Sequence, residues 1–186
     1  MKLELLDREK SVLVVVDVQE KLLPAIPGGD AIVSRINLLA SSARILRVPV
    51  VVTEQYPQGL GPTVAALHGA LGPFEPLVKV HFSCASGPGF MEHLAGLGRS
   101  QVVLAGIEAH VCMAQTAVEL SGKGYGVWIV TDATGSRKAA DAASAFGRLA
   151  AGGIVLTTAE AVAFEWLRQA GTPEFKAVQK LVKETG

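Results

Sequence analysis

A cysteine standing between a strand-like run and a helix-like run is the residue best placed for chemistry. Gln101-Val-Val-Leu-Ala-Gly-Ile107 is short and apolar and reads as a buried strand. Met113-Ala-Gln-Thr-Ala-Val-Glu-Leu-Ser121 spaces its apolar residues as a helix does. Glu108-Ala-His-Val-Cys112 is then a strand-to-helix turn, with the Cys112 sulfur expected in the first helical turn. Free N–H groups and the positive end of a helix dipole favour the thiolate there, which is the nucleophilic form. Asp17 closes a second apolar run, Val12-Leu-Val-Val-Val16, where an acid is costly to bury alone. Lys79 lies in a third, Leu77-Val-Lys-Val-His-Phe82. Pointing inward, it requires an anion that Asp17 or a Cys112 thiolate can supply; pointing outward, it is a solubility device on an edge strand. The plainer alternatives stay open, since Cys112 also fits a buried structural thiol and Asp17 an N-cap or loop acid. Glu54 and Gln55 end a further strand and fit ordinary loop roles. His81 and His110 read as hydrogen-bonded structural histidines, because neither has a partner at ligand spacing.

The elements that position these groups alternate along the chain. Strands are predicted at residues 11–17, 48–53, 77–82, 101–107, 126–131 and 153–157, with helices at 30–47, 89–97, 111–123 and 138–151. The strands are nearly all apolar, so both faces of their sheet must be covered. That pattern predicts a three-layer α/β/α fold with a mostly parallel six-stranded sheet and right-handed crossovers. In such sheets ligands bind beyond the carboxyl ends of the strands, where Asp17, Lys79 and the Cys112 turn all fall. The loop Tyr56-Pro-Gln-Gly-Leu-Gly-Pro62 follows another strand end and suits a ligand-binding role. Two more helices follow the last strand; Thr157 with Glu160 fits a capping box, and Thr172-Pro173 an N-cap with proline at the first helical position.

Composition bounds the function. The 186 residues, 49% hydrophobic and 18% charged, fit one domain spanning residues 1–186. Seventeen basic residues balance seventeen acidic ones, so neither a nucleic-acid groove nor an anionic membrane surface is indicated. No apolar run approaches the roughly 20 residues of a membrane span, and the charged first ten residues lack a signal-peptide core. Two cysteines, Cys84 and Cys112, suit a reducing compartment. A cytoplasmic location is expected.

Taken together, Asp17-Val-Gln19, Lys79 at the third strand and Gly106-Ile-Glu-Ala-His-Val-Cys112 resemble the isochorismatase-like cysteine hydrolase superfamily. Thr53-Glu-Gln-Tyr-Pro-Gln-Gly-Leu-Gly-Pro62 and Leu156-Thr-Thr-Ala-Glu-Ala-Val-Ala-Phe164 resemble its isochorismatase domain-containing branch. The resemblance implies an Asp–Lys–Cys triad of Asp17, Lys79 and Cys112. It also implies an oxyanion hole from the backbone N–H groups of Glu108 and Cys112, and a cis peptide at Ile107–Glu108. Gln19, Gln55, Tyr56 and Phe82 are candidate substrate-lining residues, although Gln55 and Tyr56 also fit as turn residues. The chemistry implied is attack of Cys112 on a small amide, imide or related C–N substrate, with Asp17 moving the proton and no cofactor. Nicotinamidases of the superfamily carry an Asp-x-His metal motif with further histidines between the second and third strands. Here that interval holds only His68, so no metal is expected. Bacterial isochorismatases of siderophore pathways lack the cysteine that this chain retains. Two competing functions are a thiol-redox or sensing protein using Cys112 with Cys84, and a non-catalytic partner protein; neither requires Asp17 and Lys79 at strand ends. A homo-oligomer is expected, with Phe164, Trp166 and Leu167 as candidate interface residues.

Overall fold

Six short runs of β-branched and aliphatic residues line up side by side, every neighbouring pair parallel. The computed structural model describes residues 4–185; residues 1–3, the start of the segment read as lacking a signal-peptide core, and residue 186 lie outside the described residues. In chain order the elements are β1 (Ser11–Val16), α1 (Gly29–Leu46), β2 (Val50–Gln55), the short helices α2 (Pro57–Leu60) and α3 (His68–Leu71), and β3 (Leu77–Lys79). Then follow α4 (Phe90–Gly96), β4 (Gln101–Ile107), α5 (Ala114–Gly122), β5 (Gly126–Gly135), α6 (Ala139–Ala151), β6 (Val155–Thr157), α7 (Ala159–Leu167) and α8 (Pro173–Thr185). The strand order is β3-β2-β1-β4-β5-β6, the arrangement expected of a three-layer α/β/α fold.

Alternate residues of the central strands feed opposite faces, which is why no polar residue interrupts them. Leu13 and Val15 of β1 join Val103 and Ala105 of β4 in a core closed by Ile36 and Leu39 of α1, Val162 and Trp166 of α7 and Val178 of α8. Val12, Val14 and Val16 face the other way, with Val102 and Leu104, onto Leu94 of α4, Ala117 and Leu120 of α5 and Leu149 of α6.

Several boundaries differ from those read in the sequence. β3 ends at Lys79 instead of Phe82, because the chain leaves the sheet and exposes Val80 and Phe82. β5 runs on to Gly135, carried by a register shift between Leu104 and Gly106 on its partner β4. The N-cap of α7 is Thr158, whose hydroxyl accepts from the Ala161 N–H, not Thr157, which belongs to β6. Thr172 caps α8 as expected, accepting from the Phe175 N–H at 3.0 Å ahead of Pro173. Two of the three interface candidates in the C-terminal segment are also corrected. Trp166 and Leu167 are buried in the core on α7, whereas Phe164 is exposed, with its ring centroid 6.4 Å from that of Phe175.

Candidate active site

The parallel register brings the ends of β1, β2, β3 and β4 to one edge of the sheet. Val16 pairs with Thr53 on one side and Gly106 on the other, and Gln55 pairs with Lys79. The next residue along β1 is Asp17, whose φ of 55° is a left-handed conformation that aspartate tolerates better than most residues. The fit at Gly106 is closer still. With φ 131°, a side chain there would run into the main chain of Val16, and only glycine lets β4 lie against β1 at this point.

Asp17 is fully buried, and each of its carboxylate oxygens has a donor. Lys79 Nζ donates to Oδ2 at 2.6 Å and Thr53 Oγ1 to Oδ1 at 2.7 Å. Lys79, itself 3% exposed, gives its remaining protons to Gln55 Oε1 at 2.7 Å and to the Phe82 carbonyl at 3.1 Å. Lys79 therefore points inward, and its ammonium is spent on protein acceptors. Burial works against that ammonium, but the Asp17 carboxylate, helped by Cys84, Cys112 and the hydrogen bond to Asp17, outweighs it and holds the pKa above the ordinary lysine value.

Cys112 sits on a wide π turn, Ala109–Met113, closed by the Met113 N–H donating to the Glu108 carbonyl at 3.2 Å. This corrects the expectation of a first α-helical turn, since α5 starts only at Ala114. The surroundings of the sulfur work against the expected thiolate. Burial pushes the Cys112 thiol well up, and the negative charge of Asp17, with the hydrogen bond the thiol gives it, adds to the rise; Lys79 only partly offsets this. Cys84, in the same core, is likewise pushed up to about 11, first by burial and then by Asp17, and its Sγ lies 3.7 Å from Thr53 Oγ1. Both cysteines are free. The Ile107–Glu108 peptide is cis.

The four candidate lining residues divide in two. Gln19 is buried, with Nε2 donating to the Gln55 and Gly61 carbonyls at 3.0 and 2.6 Å and Oε1 accepting from the Gln55 N–H at 2.8 Å. Its amide braces the loop after β2 and is not presented to a ligand. Gln55 likewise spends its side chain on Lys79 and on the Val80 carbonyl, at 2.9 Å for the latter. Tyr56 and Phe82 are 52% and 53% exposed and remain free to meet a small molecule. Glu54 is a loop brace, accepting from the Thr63 N–H and hydroxyl at 2.7 and 2.8 Å. His110 is hydrogen-bonded as expected, its Nδ1 3.0 Å from Ser136 Oγ, whereas His81 is exposed.

Two participants were not singled out from the sequence. Thr53 pairs with Val16 in the β1–β2 register and donates its hydroxyl to the neighbouring Asp17; a hydroxyl near the end of an apolar strand is the available signal. Arg137, which pairs with the Glu108 carboxylate at 3.1 Å, carries no local signal. Among the described residues no group of three His, Cys, Asp or Glu side chains could hold a metal ion, and no helix is long and apolar enough to cross a membrane.

Known proteins share this arrangement of elements. The isochorismatase-domain family model matches residues 11–161. The chain is 41% identical over 177 residues to isochorismatase domain-containing protein 2A of Mus musculus, covering 95% of this chain and 84% of that protein. It is similar to the solved structure of MAR1 ribonuclease from Caenorhabditis elegans, with a TM-score of 0.90 and 38% identity over 97% of this chain and 93% of that one. The YcaC gene product of Escherichia coli, described as an octameric hydrolase of unknown specificity, matches with a TM-score of 0.90 at 23% identity over 100% of this chain and 94% of that one, which bears on the fold alone.

Proposed function

This chain belongs to the isochorismatase family, and from that premise we propose that it is a metal-independent cysteine hydrolase of small amides, imides or related C–N compounds. The observation that carries the reading is the buried Lys79–Asp17 ion pair, in the same buried site as the Cys112 thiol, whose proton affinity the Asp17 charge raises. A structural thiol needs no such pair, and desolvating two charges beside it is costly without a use for them.

In this reading Asp17 accepts the Cys112 proton as sulfur bonds to the carbonyl carbon, so thiolate forms only as it is consumed. The carbonyl electron pair moves to oxygen, held by the N–H groups of Glu108 and Cys112. Collapse breaks the C–N bond, and Asp17 returns the proton to the leaving amine. Water then cleaves the thioester, releasing the acid and restoring the thiol. Lys79 fixes the carboxylate and supplies positive charge; with all its donors engaged, it does not bind substrate. Tyr56 and Phe82 flank the approach as apolar contacts.

The protein acts as one domain in a reducing compartment, the cytoplasm, where two unpaired thiols persist. Self-association is part of the reading, supported by exposed Val78 on the edge strand β3 and by exposed Val80 and Phe82 just beyond its end. The name of the nematode relative raises RNA cleavage as a second activity, but a balanced charge and a fully engaged lysine offer little for phosphate. The deciding experiment screens small amides, imides, ureas and an RNA oligomer against wild type and Cys112→Ser. Release of ammonia or amine by wild type alone supports the reading. Activity that survives Cys112→Ser, or cleavage of RNA only, overturns it.

A further inference from the structure

The turn that carries Cys112 is fastened from its far side by groups that have no part in the chemistry above. Glu108 is 6% exposed, yet it carries a carboxylate. Its Oε2 accepts the main-chain N–H of Arg137 at 2.9 Å, and Arg137 Nε reaches Oε1 and Oε2 at 3.2 and 3.1 Å. Two residues on, His110 Nδ1 lies 3.0 Å from Ser136 Oγ, and its Nε2 is 3.8 Å from Asp141 Oδ2. Both ties end on Ser136 and Arg137, which lie between β5 and α6. The turn itself is closed through the Glu108 carbonyl, which accepts from the Val111 and Met113 N–H groups at 3.1 and 3.2 Å; these bonds lie on the peptide after Glu108, not on the Ile107–Glu108 peptide that carries its N–H. The buried carboxylate is thus not needed to close the turn, and burying it without a cation would be unfavourable.

We propose that Arg137 is a positioning residue, which holds the Glu108 carboxylate and thereby sets where the Glu108 N–H stands relative to the Cys112 sulfur. The inference rests on the oxyanion role given above to that N–H. An oxyanion donor works only when it lies within about 2.7–3.1 Å of the developing negative charge. Misplacement by about 1 Å costs on the order of 10²-fold in rate. Arg137 touches neither sulfur nor substrate in this scheme; it acts through Glu108 alone.

The experiment compares two reactions of the same sulfur. With p-nitrophenyl acetate, Cys112 bonds to the acetyl carbon, the ester C–O bond breaks, p-nitrophenolate leaves and Asp17 takes the thiol proton, so an oxyanion forms on the way. With iodoacetamide, sulfur displaces iodide at a saturated carbon, and no oxyanion forms. Arg137→Ala should lower the acylation rate constant about tenfold, while alkylation of Cys112, followed by peptide mapping, changes less than about twofold, within the range of ordinary surface substitutions. Arg137→Lys, which keeps the charge but loses the flat Nε–H contact, should fall in between. Added guanidinium should restore part of the Arg137→Ala acylation rate, since the side chain it replaces is 62% exposed. Equal loss in both reactions would mean a general structural role and would overturn the inference, as would no loss in either. Wild type that fails to acylate at Cys112 would overturn the hydrolase reading, and the inference with it; a normal wild type beside an unaffected Arg137→Ala sinks the inference alone.

Discussion

Asp17 has a donor on each oxygen, and its partner Lys79 has an acceptor for each proton, so the two form one closed unit. Removing either side leaves a buried charge without compensation. Lys79→Ala should therefore abolish hydrolysis and cost about 3–5 kcal/mol in urea unfolding. Asp17→Asn combined with Lys79→Met should recover part of that loss. Single and double losses that simply add would show that the pair is not a unit. The thiol is governed by the same carboxylate. Since the Asp17 charge adds to the proton affinity that burial gives Cys112, Asp17→Asn should speed its alkylation by iodoacetamide at neutral pH even as it stops turnover. Slower labelling than wild type would contradict that account. Cys84 adds a pH dependence. Its folded pKa is raised from 9.0 to about 11, so its contribution to stability is complete below about pH 9 and is lost as pH rises towards about 11. Unfolding free energies measured across that window should fall with pH, and less steeply for Cys84→Ala. At this scale the sequence exposed Asp17, Lys79 and Cys112, because a charge or a thiol stands out against an apolar strand end. It did not expose the upward push on the Cys112 thiol, which comes from burial and from a carboxylate 95 positions away in the chain. Arg137 was hidden for a similar reason, since nothing near it in sequence marks a partner at Glu108.

The elements were legible wherever a pattern repeated, and blurred where a single contact decided. The central strands β1 and β4 fall where the unbroken apolar runs place them. The end of β3 was set by geometry, because the chain must turn away for the Phe82 carbonyl to meet Lys79 Nζ. The start of α5 was displaced by the π turn, whose defining bond from the Met113 N–H to the Glu108 carbonyl has no counterpart in helix periodicity. Gly106 shows how little slack remains between elements. A Cβ there would lie within 2.7 Å of the Val16 nitrogen and nearer still to its carbonyl oxygen, both of them backbone atoms that cannot swing aside. Gly106→Ala should destabilise the protein by more than about 2 kcal/mol and depress Cys112 reactivity with it, measured by thermal unfolding and by labelling of the folded fraction. An unchanged melting temperature would mean that β1 and β4 pack less closely than described.

Across the whole molecule, charge balances and the imidazoles are scattered. With Lys79 at the site and no three ligating side chains gathered among the described residues, a divalent cation has little to hold it. Hydrolysis should survive exhaustive EDTA treatment, and elemental analysis should find far less than one metal per chain; activity lost on chelation and regained on adding metal back would reverse this. The strand order carries one more consequence. β1 lies in the middle of the sheet but comes first in the chain, and its neighbour β4 begins 90 residues later, at the distance from Ser11 to Gln101. Every pairing is parallel, so no hairpin can cover the wait. A chain emerging from the ribosome carries Ser11-Val-Leu-Val-Val-Val16 bare along one edge until β4 has been made. At about 5–20 residues per second, that is on the order of five to twenty seconds of exposure. During synthesis this apolar stretch is the natural target for a chaperone and the weakest point against aggregation.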